Sequence, residues 1–156
     1  MLKKVSLLLC IILTSISLMA CGAETPKTSS DFENLANSKN LVIEYAVEEG
    51  AEELYDYNGF AYDENLVYQV CFYDLNTPDL AKKLLNNIEN ALINDGIEDI
   101  ANIKTHTSIA NTTSFSYGYG NVYYYGKRID DTVIFAFTQS DGGKNLIKDF
   151  VEEFGY

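Results

Sequence analysis

The residues able to do chemistry are few, and each can be held against the spacing its chemistry demands. His106 is the one histidine, in the polar segment "IKTHTSIAN". A hydrolytic dyad or triad would have to be built on it, with Ser108, Ser114 or Cys71 as nucleophile. No G-x-S-x-G elbow occurs, so His106 reads as a lone loop histidine. Carboxylates are plentiful, 23 in all, and folding could pair two of them for glycoside hydrolysis, which needs only spatial closeness. Among so many acids chance pairs are common, so that signal carries little weight. Asp56-Tyr57-Asn58-Gly59 catches part of a calcium loop, but a position and the distal glutamate are missing, and Asn58-Gly59 is better explained as a turn. With Cys and His unclustered, no metal ligand and no cofactor is expected. Gly118 and Gly120 form G-x-G without its third glycine, position 123 being Tyr123, so no dinucleotide site follows.

One thiol is placed differently. Cys21 stands where the apolar run from Val5 to Ala20 gives way to polar residues, behind the positive pair Lys3 and Lys4. The run of about sixteen residues is shorter than the roughly 20 that a spanning helix needs. Positive head, apolar middle and small residues at the end form the pattern of a secretory signal. Its end, "LMAC", resembles the lipobox of bacterial lipoproteins, [LVI]-[ASTVIM]-[GAS]-C, at all four positions. That resemblance implies a diacylglyceryl group on the Cys21 sulfur, cleavage just before it, and a place on the outer face of the bacterial cytoplasmic membrane. The chemistry is coherent. A thiolate is the nucleophile that a thioether linkage requires, and two acyl chains supply the two signals that stable anchoring takes. Cys10, inside the run, leaves with the signal.

The rest of the chain is acidic. Eleven basic and 23 acidic side chains give a net charge of −12, and removal of Lys3 and Lys4 takes it to about −14. Such a surface repels phosphates, which excludes a nucleic-acid partner. Cys71 is the one thiol left besides Cys21, so no structural disulfide is available; inside "VYQVCFY" it reads as a small buried hydrophobe. "GAETPKTS" is small and polar and reads as a tether. The expected organisation is a signal over 1–20, a lipidated cysteine and flexible tether over 21–29, and one globular domain over 30–156.

The tyrosines are the most suggestive feature, twelve of them with no tryptophan. Tyr117, Tyr119, Tyr123 and Tyr125 share parity in "FSYGYGNVYYYGKRI" and, as one strand, would line one sheet face, with Val122 and Tyr124 on the other. Two roles follow. They can be amphipathic filler between helix and sheet, or an exposed platform for a glycan or peptide with Lys127 and Arg128 as polar handles. Tyr119 and Tyr123 are expected buried, and Tyr125, near the hairpin end, exposed.

These residues need elements to hold them. Ser30 and Glu33 suggest a capping box for a first helix ending near Ser38. "LVIEYAV" alternates as a strand, and "GFAYDENLVYQVCFYDL" reads as a hairpin turning at Asp63-Glu64-Asn65. Thr77, Pro78 and Asp79 open the clearest helix, whose apolar face carries Leu80, Leu84, Leu85, Ile88, Ala91 and Leu92. Residues 97–114 lack a pattern and read as a surface loop. A second hairpin turns at Asp130-Asp131, and Leu146, Ile147, Phe150, Val151 and Phe154 mark a last helix. The order α-β-ββ-α-ββ-α predicts an α+β fold: an antiparallel sheet of about four to five strands with two or three helices on one face.

This layout, with its "xxFGY" end, resembles a group of small uncharacterised lipoproteins from low-GC Gram-positive bacteria. The reading is therefore a membrane-anchored, non-enzymatic binding domain, held by the lipid on Cys21, with a cell-surface protein or glycan as partner. A small surface hydrolase and a substrate-binding lipoprotein serving a transporter are the alternatives. At this length, the usual two lobes around a ligand cleft do not fit.

Overall fold

The computed structural model of the chain describes residues 23–46 and 53–156; residues 1–20 and Cys21 lie outside them. In chain order the elements are α1 (Ser29–Ser38), β1 (Val42–Tyr45), β2 (Tyr55–Tyr62), β3 (Gln69–Leu75), α2 (Pro78–Asn94), α3 (Ile97–Ile100), β4 (Ile103–Ile109), β5 (Thr112–Tyr119), β6 (Val122–Ile129), β7 (Thr132–Thr138) and α4 (Gly143–Phe154). One sheet runs β1-β2-β3-β7-β6-β5-β4, antiparallel throughout. The class is α+β, but the expected sheet is corrected. Among the described residues it has seven strands rather than four or five, and helices cover both faces rather than one.

The additional strands have identifiable origins. Residues 97–114 hold α3 and β4, and β4 is an edge strand exposed along nearly its whole length, so it shows no apolar period. The run expected as one tyrosine strand breaks at Gly120-Asn121 into β5 and β6. Two-residue turns at Ala110-Asn111, Gly120-Asn121 and Asp130-Asp131 join β4 to β7 as a meander. The first residue of each turn is left-handed, with φ of 51°, 53° and 50°, as primed hairpin turns require.

Each face has its own core. On one, Val70, Phe72, Ile134 and Ala136 pack under α1 and α4. Phe32 of α1 stacks on Phe72 at 5.4 Å and meets Phe150 edge-on at 6.0 Å; burying such a ring contributes about 1.5–3 kcal/mol. On the other face, Leu75, Phe115, Tyr117 and Val133 pack under Ala81 and Leu85 of α2. Cross-strand partners share a face and neighbours along a strand alternate, so β7 sends Ile134 and Ala136 one way and Val133 and Phe135 the other.

The helix starts follow local chemistry. Thr77 accepts from the Leu80 N–H at 3.3 Å with Pro78 in the first turn, as the sequence predicts. α1 is capped two residues earlier than expected: Thr28 accepts from Asp31 N–H at 3.2 Å while Asp31 accepts from Thr28 N–H at 3.0 Å. Those hydrogen bonds from Thr28 hold the Asp31 carboxyl below its ordinary range. The helices are offset across the sheet. α2 lies over β3, β7 and β6, while α1 lies over β1 and β3 and α4 over β7 and β6. Phe60 and Tyr62 of β2 belong to neither packed core. Among the described residues, no helix is long and apolar enough to cross a membrane.

Candidate functional site

The tight turn at Gly120-Asn121 decides where the tyrosines go. It pairs Tyr119 with Val122, Gly118 with Tyr123 and Tyr117 with Tyr124. A two-residue turn makes odd residues of one strand share a face with even residues of the next, so the expected single platform divides. Tyr117 and Tyr119 lie on the α2 face with Tyr124 and Val122, and Tyr123 and Tyr125 lie on the α4 face. Tyr125 is half-buried against the α4 core, not exposed. Tyr123, Tyr125 and Tyr156, with Lys148 and Glu152 of α4, line a groove of about 410 Å³. Burial pushes the Tyr156 phenol up to about 12 and raises Tyr123 and Tyr125 in the same direction.

Neither expected handle is free. Lys127 Nζ sits 2.5 Å from Glu24 Oε2 and 5.8 Å from the Tyr156 ring centre. Arg128 is buried, and its Nη1 donates to the Asp130 carbonyl at 3.0 Å.

His106 is on β4, not in a loop. Its Nδ1 lies 3.0 Å from Glu89 Oε1, and Tyr117 donates its hydroxyl to the same oxygen at 3.0 Å. Glu89 is buried four residues after Leu85, in the middle of the α2 stripe. The sequence reading passed over it, although a charge at that spacing inside an apolar face signals a buried polar link. Burial first, then the hydrogen bond and charge of Glu89, push the Tyr117 phenol up to about 12. Among the described residues, His106 pairs with Glu89 rather than with Ser108, Ser114 or Cys71. Ser108 pairs with Thr113 at 3.3 Å instead. Cys71 is buried with its thiol raised by desolvation, the opposite of what activates a nucleophile.

A second aromatic group occupies the part of the α2 face beyond α2. Phe60 and Tyr62 stack on β2 with centres 6.0 Å apart. Phe135, Phe137 and Tyr124 stack on one another at 6.1–6.5 Å. All five rings are partly exposed. One register row crosses four strands, Tyr62–Gln69–Phe137–Tyr124, so the Gln69 amide sits between the two sets of rings. Leu66, Tyr68, Gln69, Phe137, Thr138 and Gln139 line a cavity of about 220 Å³ against the middle of this row. Gln69 and Gln139 are the only glutamines of the chain.

The loop beside the cavity is built by Asp63. Its carboxylate accepts from the N–H groups of Asn65 at 3.3 Å, Val67, and Tyr68 at 3.4 Å, while its carbonyl accepts from Leu66 N–H at 2.8 Å. The turn leaves Leu66 left-handed at φ 54° and 68% exposed. A leucine in that conformation stores strain, and strain of this kind gathers at binding sites. Burial raises the Tyr124 phenol and the charge of Tyr119 adds to this, while a hydrogen bond with Gln139 opposes them. The arrangement offers ring faces and two amides, each able to donate and accept. The missed signals were the alternations Phe60/Tyr62 and Phe135/Phe137, and a glutamine inside or just after an apolar strand in both "VYQVCF" and "AFTQS". Comparison with protein families, curated proteins and solved structures finds no match to this chain.

Proposed function

We propose that the chain is a lipid-anchored, non-enzymatic binding domain on the outer face of the cytoplasmic membrane, and that its ligand is a neutral glycan of the cell wall. The observation that carries the reading is the cavity that both glutamines line with Phe137 and Tyr68, beside the partly exposed rings of Tyr62 and Tyr124, which neighbour Gln69 and Phe137 in the register row. Apolar walls with a few placed polar groups are the usual make-up of a small-ligand site. Ring faces pack against the C–H faces of sugars, and an amide can serve hydroxyl and acetamido groups as donor and acceptor. Among the described residues no cationic side chain lines this cavity, and a net charge of −12 opposes an anionic polymer. The "LMAC" motif supports the anchor.

Two experiments test the two halves. Co-sedimentation of residues 22–156 with purified cell-wall glycan should lose about tenfold or more in affinity in Phe137→Ala, the scale of a binding hot spot; unchanged affinity contradicts the site. For the anchor, Cys21→Ala should abolish fatty-acid labelling and leave the signal uncut. A variant with its signal removed, unlabelled and still membrane-bound, contradicts that half.

A further inference from the structure

The segment just before α1 is fastened to one end of the sheet. Glu24 N–H donates to Asn111 Oδ1 at 3.2 Å, and Asn111 Nδ2 donates back to the Glu24 carbonyl at 2.8 Å. The Glu24 carboxylate is held by Lys127 at 2.5 Å. Asn111 also donates to Asp130 Oδ2 at 2.9 Å, which joins the β4–β5 turn to the β6–β7 turn. Residue 24 is therefore fixed where those two turns lie side by side. The Gly120-Asn121 turn, Gln69 and Gln139 lie at the opposite end of the strands.

Cys21 precedes Glu24 by three residues, a reach of about 11 Å at full extension. Strands of seven to eight residues are about 25 Å long at roughly 3.3 Å per residue. An acyl chain on Cys21 thus brings the clamped end to the bilayer and leaves the other end out of reach of it. Beside the clamp, Ile109 is 62% exposed and Ala110 is exposed, an apolar step at the tip of the edge hairpin. Of the acids of this end, Glu24 is paired with Lys127 and Asp130 accepts from Asn111, while Asp56, Asp74 and Asp131 group on β2, β3 and the β6–β7 turn, away from that tip. Their repulsion by anionic headgroups tilts the β4 edge toward the membrane.

Resting on the reading of Cys21 as lipid-bearing, we infer that the β4–β5 turn seats on the lipid bilayer with Ile109 at the headgroup–acyl boundary. The Asn111–Glu24 clamp fixes that orientation and points the aromatic cavity away from the membrane. An exposed apolar residue beside an anchor enters this layer to a depth of about 5–10 Å.

The test uses the full lipidated protein in phosphatidylglycerol–phosphatidylcholine vesicles, with an environment-sensitive dye on Ile109→Cys or, as the distal control, Asn121→Cys. Brominated lipids should quench the dye at 109 several-fold more than at 121, and adding Asn111→Ala should shrink that difference. Equal quenching at both positions, with lipid demonstrated on Cys21, overturns the orientation and leaves the anchor standing. A dye at 109 that is shielded but insensitive to brominated lipid also overturns it, with a second copy of the chain as the covering surface. Absence of lipid on Cys21 overturns both.

Discussion

The ring of Phe115 lies across Gly126, its direct cross-strand partner, so closely that a Cβ there would stand 2.5 Å from the ring edge and 3.0 Å from Leu85 Cδ1. The absence of a side chain on β6 is what lets α2 and the β5 ring close over the sheet. Gly126→Ala must push Phe115 or Leu85 out of a filled core. Overpacking of this kind costs about 1–3 kcal/mol. Chemical denaturation should show that loss; a change below about 0.5 kcal/mol, ordinary for surface positions, would mean the layer is loosely packed.

The meander turns make an opposite pair of predictions. Ala110 bears a φ of 51° that an L-residue adopts at a cost, whereas Gly120 meets the same demand freely at 53°. Relief of left-handed strain, roughly 1–2 kcal/mol, exceeds the added unfolded-state freedom of glycine, about 0.4–1 kcal/mol. Ala110→Gly should raise the melting temperature and Gly120→Ala lower it. Shifts of the same sign in both variants would sink the turn assignment.

Glu89 is tied to Tyr117, and the tie is measurable as a coupling. Glu89→Ala leaves the Tyr117 hydroxyl without its acceptor in a buried setting, which costs about 1–3 kcal/mol. Tyr117→Phe removes the other partner, so the double variant should lose less than the sum. A coupling energy of about 0.5–3 kcal/mol is expected from groups in contact. Strict additivity would show that the two do not interact in solution.

The phenols give the fold a pH limit on the alkaline side. Burial, which disfavours the phenolate, pushes Tyr117 and Tyr156 up to about 12 and raises Tyr57 and Tyr125 as well. In the unfolded chain a tyrosine titrates near about 10. The folded state holds these protons more tightly, so the stability they contribute is complete below about pH 10 and is lost as pH rises toward about 12. Melting temperature should fall steeply over that window, with the part of the tyrosinate absorbance that comes from the buried phenols appearing together with unfolding. A melting temperature that stays unchanged up to about pH 12 would contradict the buried assignments.

What the sequence disclosed was local chemistry. Thr77, Pro78 and Asp79 announced α2, Asp130-Asp131 announced a turn, and the Ile147, Phe150 and Phe154 spacing announced α4. The tyrosine platform failed at one dipeptide, Gly120-Asn121, itself a recognised hairpin signal. Read as part of a strand, it placed Tyr117 and Tyr119 beside Tyr123 and Tyr125 rather than behind them. β4 stayed hidden because an edge strand with both faces largely open shows no alternation. The distal cavity was illegible for a different reason. Leu66, Gln69, Phe137 and Gln139 come from two distant segments, and they meet only because β3 pairs with β7 across the α2 insertion.

The central claim is that the distal aromatic cavity takes a glycan, and its two glutamines allow a direct reading. Gln69 and Gln139 are the only glutamines in the chain, so their side-chain amides give two signal pairs in a nitrogen–proton correlation spectrum that no other glutamine can obscure. The measurement is a titration of the isotope-labelled domain, residues 22–156, with soluble β-1,4-linked N-acetylglucosamine oligosaccharides. The account predicts that both glutamine pairs shift together and saturably, and that Phe137→Ala weakens the response. Glutamine signals that stay fixed, or shifts confined to the Tyr123–Tyr125–Tyr156 groove, would contradict it.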